Sequence, residues 1–339
     1  MKTLIAIPKY DSSGLYIMPQ GILYVSAATK RAGHDIVTLN LNHFADRIHQ
    51  VLEDIIAGEN IDSVATGGLS GEFPAIFSLL QTVKNISPQI ITICGGGLVT
   101  ASPEIAMQAL EFADIGIVGE GDSTFPNMLS CLEDRRNLNG VPGIIFRKGN
   151  RWVRTSPAPE IDDLDSLPLP DYSGFEYSRY LAENCIGFDF CGNPLSPVSV
   201  IGTRSCPYSC TFCFHPTGSR YRTRSLDAVF HEINFLTRHY RINCIALREE
   251  LFSADKERIF EFCRRIRKYS VLWTIQLRVN TIGEDIIRCL AEAKCFAVFV
   301  WIESISDAVL KSMNKKFHHH KSNRSWNGQK NTICRSVPA

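Results

Sequence analysis

Residues 202–216 read GTRSCPYSCTFCFHP, and the spacing of three cysteines in this stretch decides how the rest of the chain is read. Cys206, Cys210 and Cys213 fall in a C-x3-C-x2-C pattern on a short loop bounded by Gly202 and Pro216. Three thiolates that close suit a cuboidal iron–sulfur cluster. Each takes one iron, and a four-iron cluster then keeps one iron without a protein ligand. An open metal position can bind and activate a substrate, whereas a fully ligated cluster mainly passes electrons. Zinc is the competing reading, but it favours two C-x2-C pairs, and no fourth Cys or His stands at matching spacing nearby. His215 is two residues past Cys213, a place for a supporting or packing residue rather than a ligand. A disulfide requires an oxidising compartment, for which nothing in the chain argues.

With aromatic Phe212 just before the third cysteine, the motif resembles that of the radical S-adenosylmethionine (SAM) enzymes. The resemblance implies a [4Fe–4S] cluster on Cys206, Cys210 and Cys213. It also implies SAM on the open iron, and reductive cleavage of SAM to a 5′-deoxyadenosyl radical. The chemistry then belongs to the cofactor, while the protein supplies position and excludes water. The reductant implied is an external one-electron donor of the flavodoxin or ferredoxin type.

Composition sets the outer bounds. The chain has 339 residues, 45% of them apolar and 21% charged, which describes a globular protein of two ordinary domains. Its formal charge of +1 gives no global field favouring nucleic acid or a membrane surface. No apolar run approaches the ~18 residues of a spanning helix, and MKTLIAIPKYD lacks a signal-peptide pattern. The expectation is a cytoplasmic protein whose 12 cysteines are reduced. Cys244, Cys289 and Cys295 sit in apolar patterns and read as core, whereas Cys185 and Cys191 have no assigned role.

Ahead of the motif, residues 1 to 140 alternate short β-rich runs with amphipathic stretches. Strands are expected at Thr3–Ile7, Ile36–Leu39, Ser63–Thr66, Ile90–Ile93 and Ile115–Val118. Helices are expected near Gly21–Arg31, Phe44–Ala57, Pro74–Asn85, Pro103–Leu110 and Thr124–Leu132. Five such units predict an α/β fold with a doubly wound, Rossmann-like parallel sheet. Ligands of these sheets bind beyond the carboxyl ends of the strands. There the sequence places a long loop, Pro8–Pro19, then Gly67-Gly68-Leu69-Ser70-Gly71, Gly95-Gly96-Gly97 and Gly119-Glu120-Gly121-Asp122. Glycine lets a backbone approach a bulky ligand, although tight turns also use it. No G-x-G-x-x-G follows the first strand, which counts against a nucleotide site.

This segment resembles the cobalamin-binding domain that precedes many radical SAM cores, through Pro19 to Gly21, RAGHDIVTLN, GGG and IVGEGDSTFP. By position, the resemblance implies that Ser70, Gly95, Gly96, Gly119, Glu120 and Gly121 line cobalamin. Many such domains supply a lower axial histidine from a D-x-H-x-x-G loop. Here the loop reads KYDSSG, with Asp11 present and Ser13 in the histidine position. The expectation is cobalamin bound without a histidine ligand, with His43 at a helix start rather than on cobalt.

Residues 141–196 read as a hairpin turning at Gly149-Asn150, followed by a Pro- and Asp-rich linker. Residues 197–316 read as a partial (β/α) TIM-like radical SAM barrel. Its strands are Val198–Ile201, Cys244–Leu247, Leu272–Leu277 and Phe296–Trp301, with Ser225 capping the first helix. Polar residues follow these strands. Arg248-Glu249-Glu250 resembles the acidic segment that holds the SAM amino group, with Glu249 and Glu250 equal candidates. Arg278 and Asn280 follow the third strand, and Glu303 and Ser304 resemble the segment near the ribose. Phe212, Glu249, Glu250, Arg278, Glu303 and Ser304 are therefore the candidate SAM residues. Arg222 and Arg224, just past the motif, either attract an anionic ligand or form a solvated basic loop.

The pattern breaks in places. Lys294, Trp301 and Ile305 stand where the family has glycine, and 120 residues hold only about four β/α units of ~30 residues. The tail from 317 to 339 is basic with no helical or strand period, so it is expected to be disordered and the barrel C-terminally truncated. The resulting expectation is a cobalamin-dependent radical SAM enzyme of the methyltransferase class, or one performing another radical rearrangement. It would act on a small-molecule or natural-product substrate whose identity the sequence does not give. The alternatives are an impaired remnant that binds cobalamin or cluster, and a methylthiotransferase. The latter needs a second three-cysteine cluster, yet the first 150 residues hold only Cys94 and Cys131.

Overall fold

A computed structural model describes residues 1–10, 16–44, 46–183, 187–188, 194–195, 197–315 and 332–334. Asp11, Ser13, Cys185, Cys191 and most of the 317–339 tail lie outside the described residues. The chain forms two compact units. One is Met1–Asn184 with Pro216–Gly218, and the other is Cys185–His215 with Ser219–Ala339.

The first unit is built on the β/α alternation expected from sequence. Its strands are β1 (Lys2–Ile7), β2 (Asp35–Asn40), β3 (Ser63–Gly67), β4 (Ile91–Gly95), β5 (Ile115–Ile117), β6 (Ile144–Lys148) and β7 (Arg151–Arg154). Its helices are α1 (Gln20–Arg31), α2 (Ile48–Glu59), α3 (Phe73–Ile86), α4 (Gly97–Ala101), α5 (Pro103–Ala109), α6 (Gly121–Glu133) and α7 (Tyr177–Glu183). The sheet order is β2-β1-β3-β4-β5-β6-β7, with the first five strands parallel. Continuous apolar runs such as LIAI in β1 suit strands covered on both faces. Leu52 and Ile56 of α2 and Leu79 and Val83 of α3 share one core with Leu4 and Val64. Ile76 and Leu80 of α3 join Val99, Met107 and Ile145 in a second core.

Two features exceed the sequence reading. The hairpin turns at Gly149-Asn150 as expected, and it also extends the sheet, because β6 pairs antiparallel with β5. The short helix α4 follows the glycine run directly, where no helical period is legible.

The second unit contains β8 (Gly187–Phe188) paired with β9 (Pro194–Leu195), then β10 (Pro197–Val200), β11 (Thr203–Arg204), β12 (Arg222–Thr223), β13 (Cys244–Leu247), β14 (Leu272–Leu277), β15 (Cys295–Val300) and β16 (Thr332–Cys334). Helices α8 (Leu226–Tyr240), α9 (Lys256–Ile266), α10 (Glu284–Glu292) and α11 (Asp307–Ser312) alternate with the strands. The main sheet runs β10-β13-β14-β15-β16, its first four strands parallel. These are the four expected barrel strands. Ser225 caps α8 by accepting from the Ala228 amide at 3.1 Å. Trp273 of β14 is fully buried, packs on Phe262, and donates its indole N–H to the Ala293 carbonyl at 2.6 Å.

Within the tail, the expectation of no strand is corrected at Thr332–Cys334. These residues form β16, antiparallel to β15. Two β-branched residues beside the open edge of β15 give the physical reason.

At the carboxyl edge of the first sheet, Gly96 and Gly119 both adopt left-handed backbone, with φ of 84° and 85°. A methyl group on Gly96 would lie 2.7 Å from the Gly68 carbonyl oxygen, whereas one on Gly119 meets nothing within 4 Å. Gly119→Ala should therefore cost only the left-handed penalty, about 1–2 kcal/mol. Gly96→Ala should cost more, because the clash is with backbone. Urea unfolding checks this, and equal losses for the two variants would contradict the packing argument.

Candidate functional site

The cysteine loop leaves the carboxyl end of β10 through Gly202. Its ends are tied by the β11–β12 ribbon, in which Thr203 pairs with Thr223 and Arg204 with Arg222. Ser205 then turns the chain in left-handed backbone (φ 64°), with its buried hydroxyl unpartnered. The Cys213 amide donates to the Cys210 carbonyl at 3.1 Å, closing a tight turn between two of the three cysteines. The residues after α11 hold the loop from another side. Thr211 N–H donates to the Met313 carbonyl at 3.0 Å, and the Asn314 amide donates to the Ser209 carbonyl at 2.8 Å.

The thiols sit at graded depth, with Cys210 buried, Cys206 half-buried and Cys213 exposed. Burial pushes the Cys206 and Cys213 thiols up, and the neighbouring Cys210 adds to both shifts. The bare loop thus resists ionising Cys206 and Cys213, and a cationic group bound there would remove that resistance. No three Cys, His, Asp or Glu side chains among the described residues converge on a single ion position. The donor set fits a cluster that spreads its charge over several irons, one per thiolate.

Strand ends deliver the other groups. Arg278, at the end of β14, lies with its guanidinium 3.8 Å from the centre of the Tyr208 ring and donates through Nη1 to the Cys210 sulfur at 3.6 Å. Its Nε and Nη2 are buried without a partner.

The two adjacent glutamates, equivalent in sequence, separate in the structure. Glu249 is buried and accepts from the Gly202 amide at 2.8 Å. Burial raises its pKa to about 8, against the opposing Gly202 hydrogen bond. Glu250 is half-buried and pairs with His215 Nδ1. Burial raises its carboxyl too, with His215 opposing, and its charge is felt at both Cys206 and Cys213. Glu250 therefore faces the cysteines, while Glu249 props the base of the loop.

Glu303 has left-handed backbone (φ 66°) and accepts from Lys315 Nζ at 2.9 Å. Its charge reaches Cys213. Lys315 also donates to the Trp301 carbonyl and lies 5.9 Å from the centre of the exposed Phe212 ring. The Ser304 hydroxyl accepts from the Ser306 amide, just ahead of α11, at 3.1 Å.

The structure thus brings Cys206, Cys210, Cys213, Glu250, Arg278 and Glu303 together. Arg224 is drawn away into a buried ion pair with Glu232. Asn280 is exposed in a turn. Tyr208 and Lys315 were missed by sequence reasoning. Tyr208 lies inside the cysteine motif, a positional signal, whereas nothing local marks Lys315.

The glycine edge of the first unit is a separate locus. Ser70 and Gly96 are exposed, and Gly95 and Gly119 are half-buried. Part of the glycine pattern is explained by packing. Gly96 sits on Gly68, and a side chain at Gly121 would strike Val25 of α1 at 2.9 Å. Glu120 is buried and accepts from the Ile161 amide at 2.7 Å, so its carboxylate anchors the following segment. Two buried polar groups near this edge remain unmatched. Gln20 has neither amide atom partnered, and Thr66 Oγ1 is likewise unpaired. Orphaned buried groups of this kind suit a ligand rich in amide groups. His43 is buried with both ring nitrogens engaged, Nδ1 with Glu183 at 2.6 Å and Nε2 with Asn40 at 3.0 Å.

Glu249 gives a pH test. Its folded pKa, about 8, lies above the ordinary value of 4.5. Between those values the folded state holds a proton that the unfolded chain has lost. Stability is therefore full below about 4.5 and falls as pH rises through about 8. Glu249→Gln should flatten that fall in thermal unfolding from pH 5 to 9, while an unchanged slope would place the titration elsewhere.

Comparison with known proteins matches two families in succession along the chain. Residues 10–129 match the B12 binding domain family, and residues 200–322 match the Radical SAM superfamily. An uncharacterized methyltransferase of Pyrococcus horikoshii is 27% identical over 325 residues, covering 93% of this chain and 68% of that protein. An anaerobic magnesium-protoporphyrin IX monomethyl ester cyclase of Rubrivivax gelatinosus is 26% identical over 336 residues, covering 93% and 58%. The radical SAM methyltransferase TsrM of Kitasatospora setae, solved with cobalamin and a [4Fe–4S] cluster, superposes with a TM-score of 0.74 at 16% identity. That likeness covers 91% of this chain and 60% of TsrM. The chain therefore spans about two thirds of the first relative and less of the other two. Among the described residues, no helix is long and apolar enough to cross a membrane.

Proposed function

We propose that this chain, which joins a B12-binding domain to a radical SAM domain, is an enzyme using cobalamin, a [4Fe–4S] cluster and SAM. Its reaction is methyl transfer to an unactivated carbon or another radical rearrangement. The observation that carries the reading is the gathering of Cys206, Cys210 and Cys213 with Glu250 and Arg278 at the carboxyl ends of parallel strands. Both reaction classes stand because the relatives include a methyltransferase and a cyclase. When bound, the cluster and SAM would supply carbon-radical chemistry able to act on an inert C–H bond, and cobalamin would supply methyl-transfer chemistry.

The residues act by holding and orienting. Cys206, Cys210 and Cys213 would hold the cluster, which would supply the iron to which SAM binds. Glu250, turned toward the thiols, is the better placed of the two glutamates for the SAM amino group. Glu249 supports it by fixing the Gly202 turn. The free Nε and Nη2 of Arg278 form one edge of the guanidinium, the shape that pairs a carboxylate. Glu303, braced by Lys315, serves the ribose, with Phe212 beside it and Ser304 contributing through backbone. In the first unit, Ser70, Gly95, Gly96, Gly119 and Gly121 line cobalamin, and Glu120 shapes that wall from behind. No histidine reaches cobalt from His43, whose ring is committed to Asn40 and Glu183.

The substrate is a small molecule, and the electron comes from a flavodoxin- or ferredoxin-type donor in the cytoplasm. Nine described cysteines are all free thiols, in keeping with a reducing compartment.

Anaerobic reconstitution followed by iron, sulfide and cobalt analysis tests the reading. Wild-type chain should bind all three and release 5′-deoxyadenosine from SAM on reduction. Cys213→Ser should lose iron and SAM cleavage while keeping cobalt, and cobalt uptake by a wild-type chain that holds no iron would sink the proposal. In the paramagnetic resonance spectrum of bound cob(II)alamin, no imidazole nitrogen coupling is expected. Its presence would overturn the axial assignment.

A further inference from the structure

Arg278 is an unusual residue to find beside a cysteine ligand. Its guanidinium is always charged, and the residue is 9% exposed. A buried charge is costly unless an anion faces it. Among the described residues no carboxylate lies within ion-pair distance of it. The group it reaches is sulfur, through the 3.6 Å contact from Nη1 to Cys210 Sγ. A neutral thiol is a weak acceptor and a poor partner for a guanidinium. A thiolate sulfur carrying cluster charge is a good one.

The guanidinium is also held in place on its flat side. Tyr208 lies between Cys206 and Cys210 in the same loop, and its ring centre is 3.8 Å from the guanidinium carbon. Cation–π contact of this kind fixes a cation without neutralising it. The loop that carries the cysteine thus also carries the platform for the cation aimed at that cysteine.

Hydrogen bonds to the sulfurs and nearby charge are among the factors that set a cluster's potential. A reduced cluster is one charge more negative than an oxidised one. A fixed cation at a ligand sulfur therefore stabilises the reduced form and raises the potential.

We propose that Arg278 is a positioning residue for the cluster, which donates to the Cys210 sulfur and holds the reduction potential above the value the three thiolates would set alone. Tyr208 is its brace. This rests on the cluster reading above, and it concerns Nη1, so it is separate from any ligand taken by the Nε and Nη2 edge.

The test is an anaerobic redox titration of the reconstituted full chain, followed by electron paramagnetic resonance, with SAM left out. Without SAM the measurement reads the sulfur contact alone. Iron and sulfide content are measured on every sample. Arg278→Gln should carry as much iron as wild type and shift the reduction equilibrium at least tenfold toward the oxidised form, about 59 mV for a one-electron couple. Arg278→Lys, which keeps the charge but loses the planar fork, and Tyr208→Leu, which frees the guanidinium, should shift it less and in the same direction. If Arg278→Gln loads poorly, the potentials of these two milder variants decide. An unchanged potential in the loaded variants overturns the proposal while leaving the cluster reading intact. A wild-type chain that binds no iron overturns both.

Discussion

Burial and close neighbours hold the Cys206 and Cys213 thiols against ionising, and much of the second unit is arranged around that constraint. Burial alone raises Cys206 and Cys213, and the nearby cysteine raises them further. The fold does not relieve this by spreading the cysteines apart. It pins the loop at its base through Glu249 and Gly202, at its ends through the β11–β12 ribbon, and at Ser209 and Thr211 through the residues after α11. A loop held that way keeps Cys210 close enough to be felt at both Cys206 and Cys213. The cost of that closeness becomes affinity for a cationic cluster.

The two glutamates after β13 show how position in a fold divides identical side chains. Glu249 is buried, and burial raises its carboxyl so that it charges only at about 8. A carboxyl held neutral near pH 7 can sit beneath the loop without adding negative charge to a site about to acquire three thiolates. Glu250, one residue on, is half-buried and paired with His215, and its charge does reach the cysteines. One residue supports the floor and the next faces the site, separated by the bend that follows β13.

Much of this was legible in the chain. The cysteine spacing, the β/α periodicity of both halves and the Gly149-Asn150 turn all rest on short-range signals, and the strands fall where those signals place them. What escaped were long-range contacts. Nothing local in residues 142–155 says that the hairpin joins the sheet at β5, because edge pairing depends on which strand is left open. Lys315 reads as one more surface lysine until it meets Glu303 and the Trp301 carbonyl. Arg224 looked available to an anion, and only the fold reveals Glu232 in the following helix. The glycine loops were half legible. Their clustering on one edge was visible, but that Gly96 is required by the backbone of Gly68 was not.

The residues from 307 to 315 carry more of the site than their length suggests. Four parallel strands leave the loop after β10 and the loop after β15 at opposite ends of the row. Something must bring them together for Glu303 to influence Cys213. Asn314 and Met313 bond the cysteine loop, and the next residue, Lys315, bonds Glu303 and Trp301. Three consecutive residues therefore connect the first strand's loop to the last parallel strand's loop. This does by side-chain and backbone bonds what a longer curved sheet does by closing. Glu303 sits at φ 66°, a conformation unfavourable for glutamate. The Lys315 contact, 7% exposed on the lysine side, is the interaction that holds it there. The strain is local and the restraint comes from the far end of the unit, so the geometry at Cys213 depends on α11 staying docked.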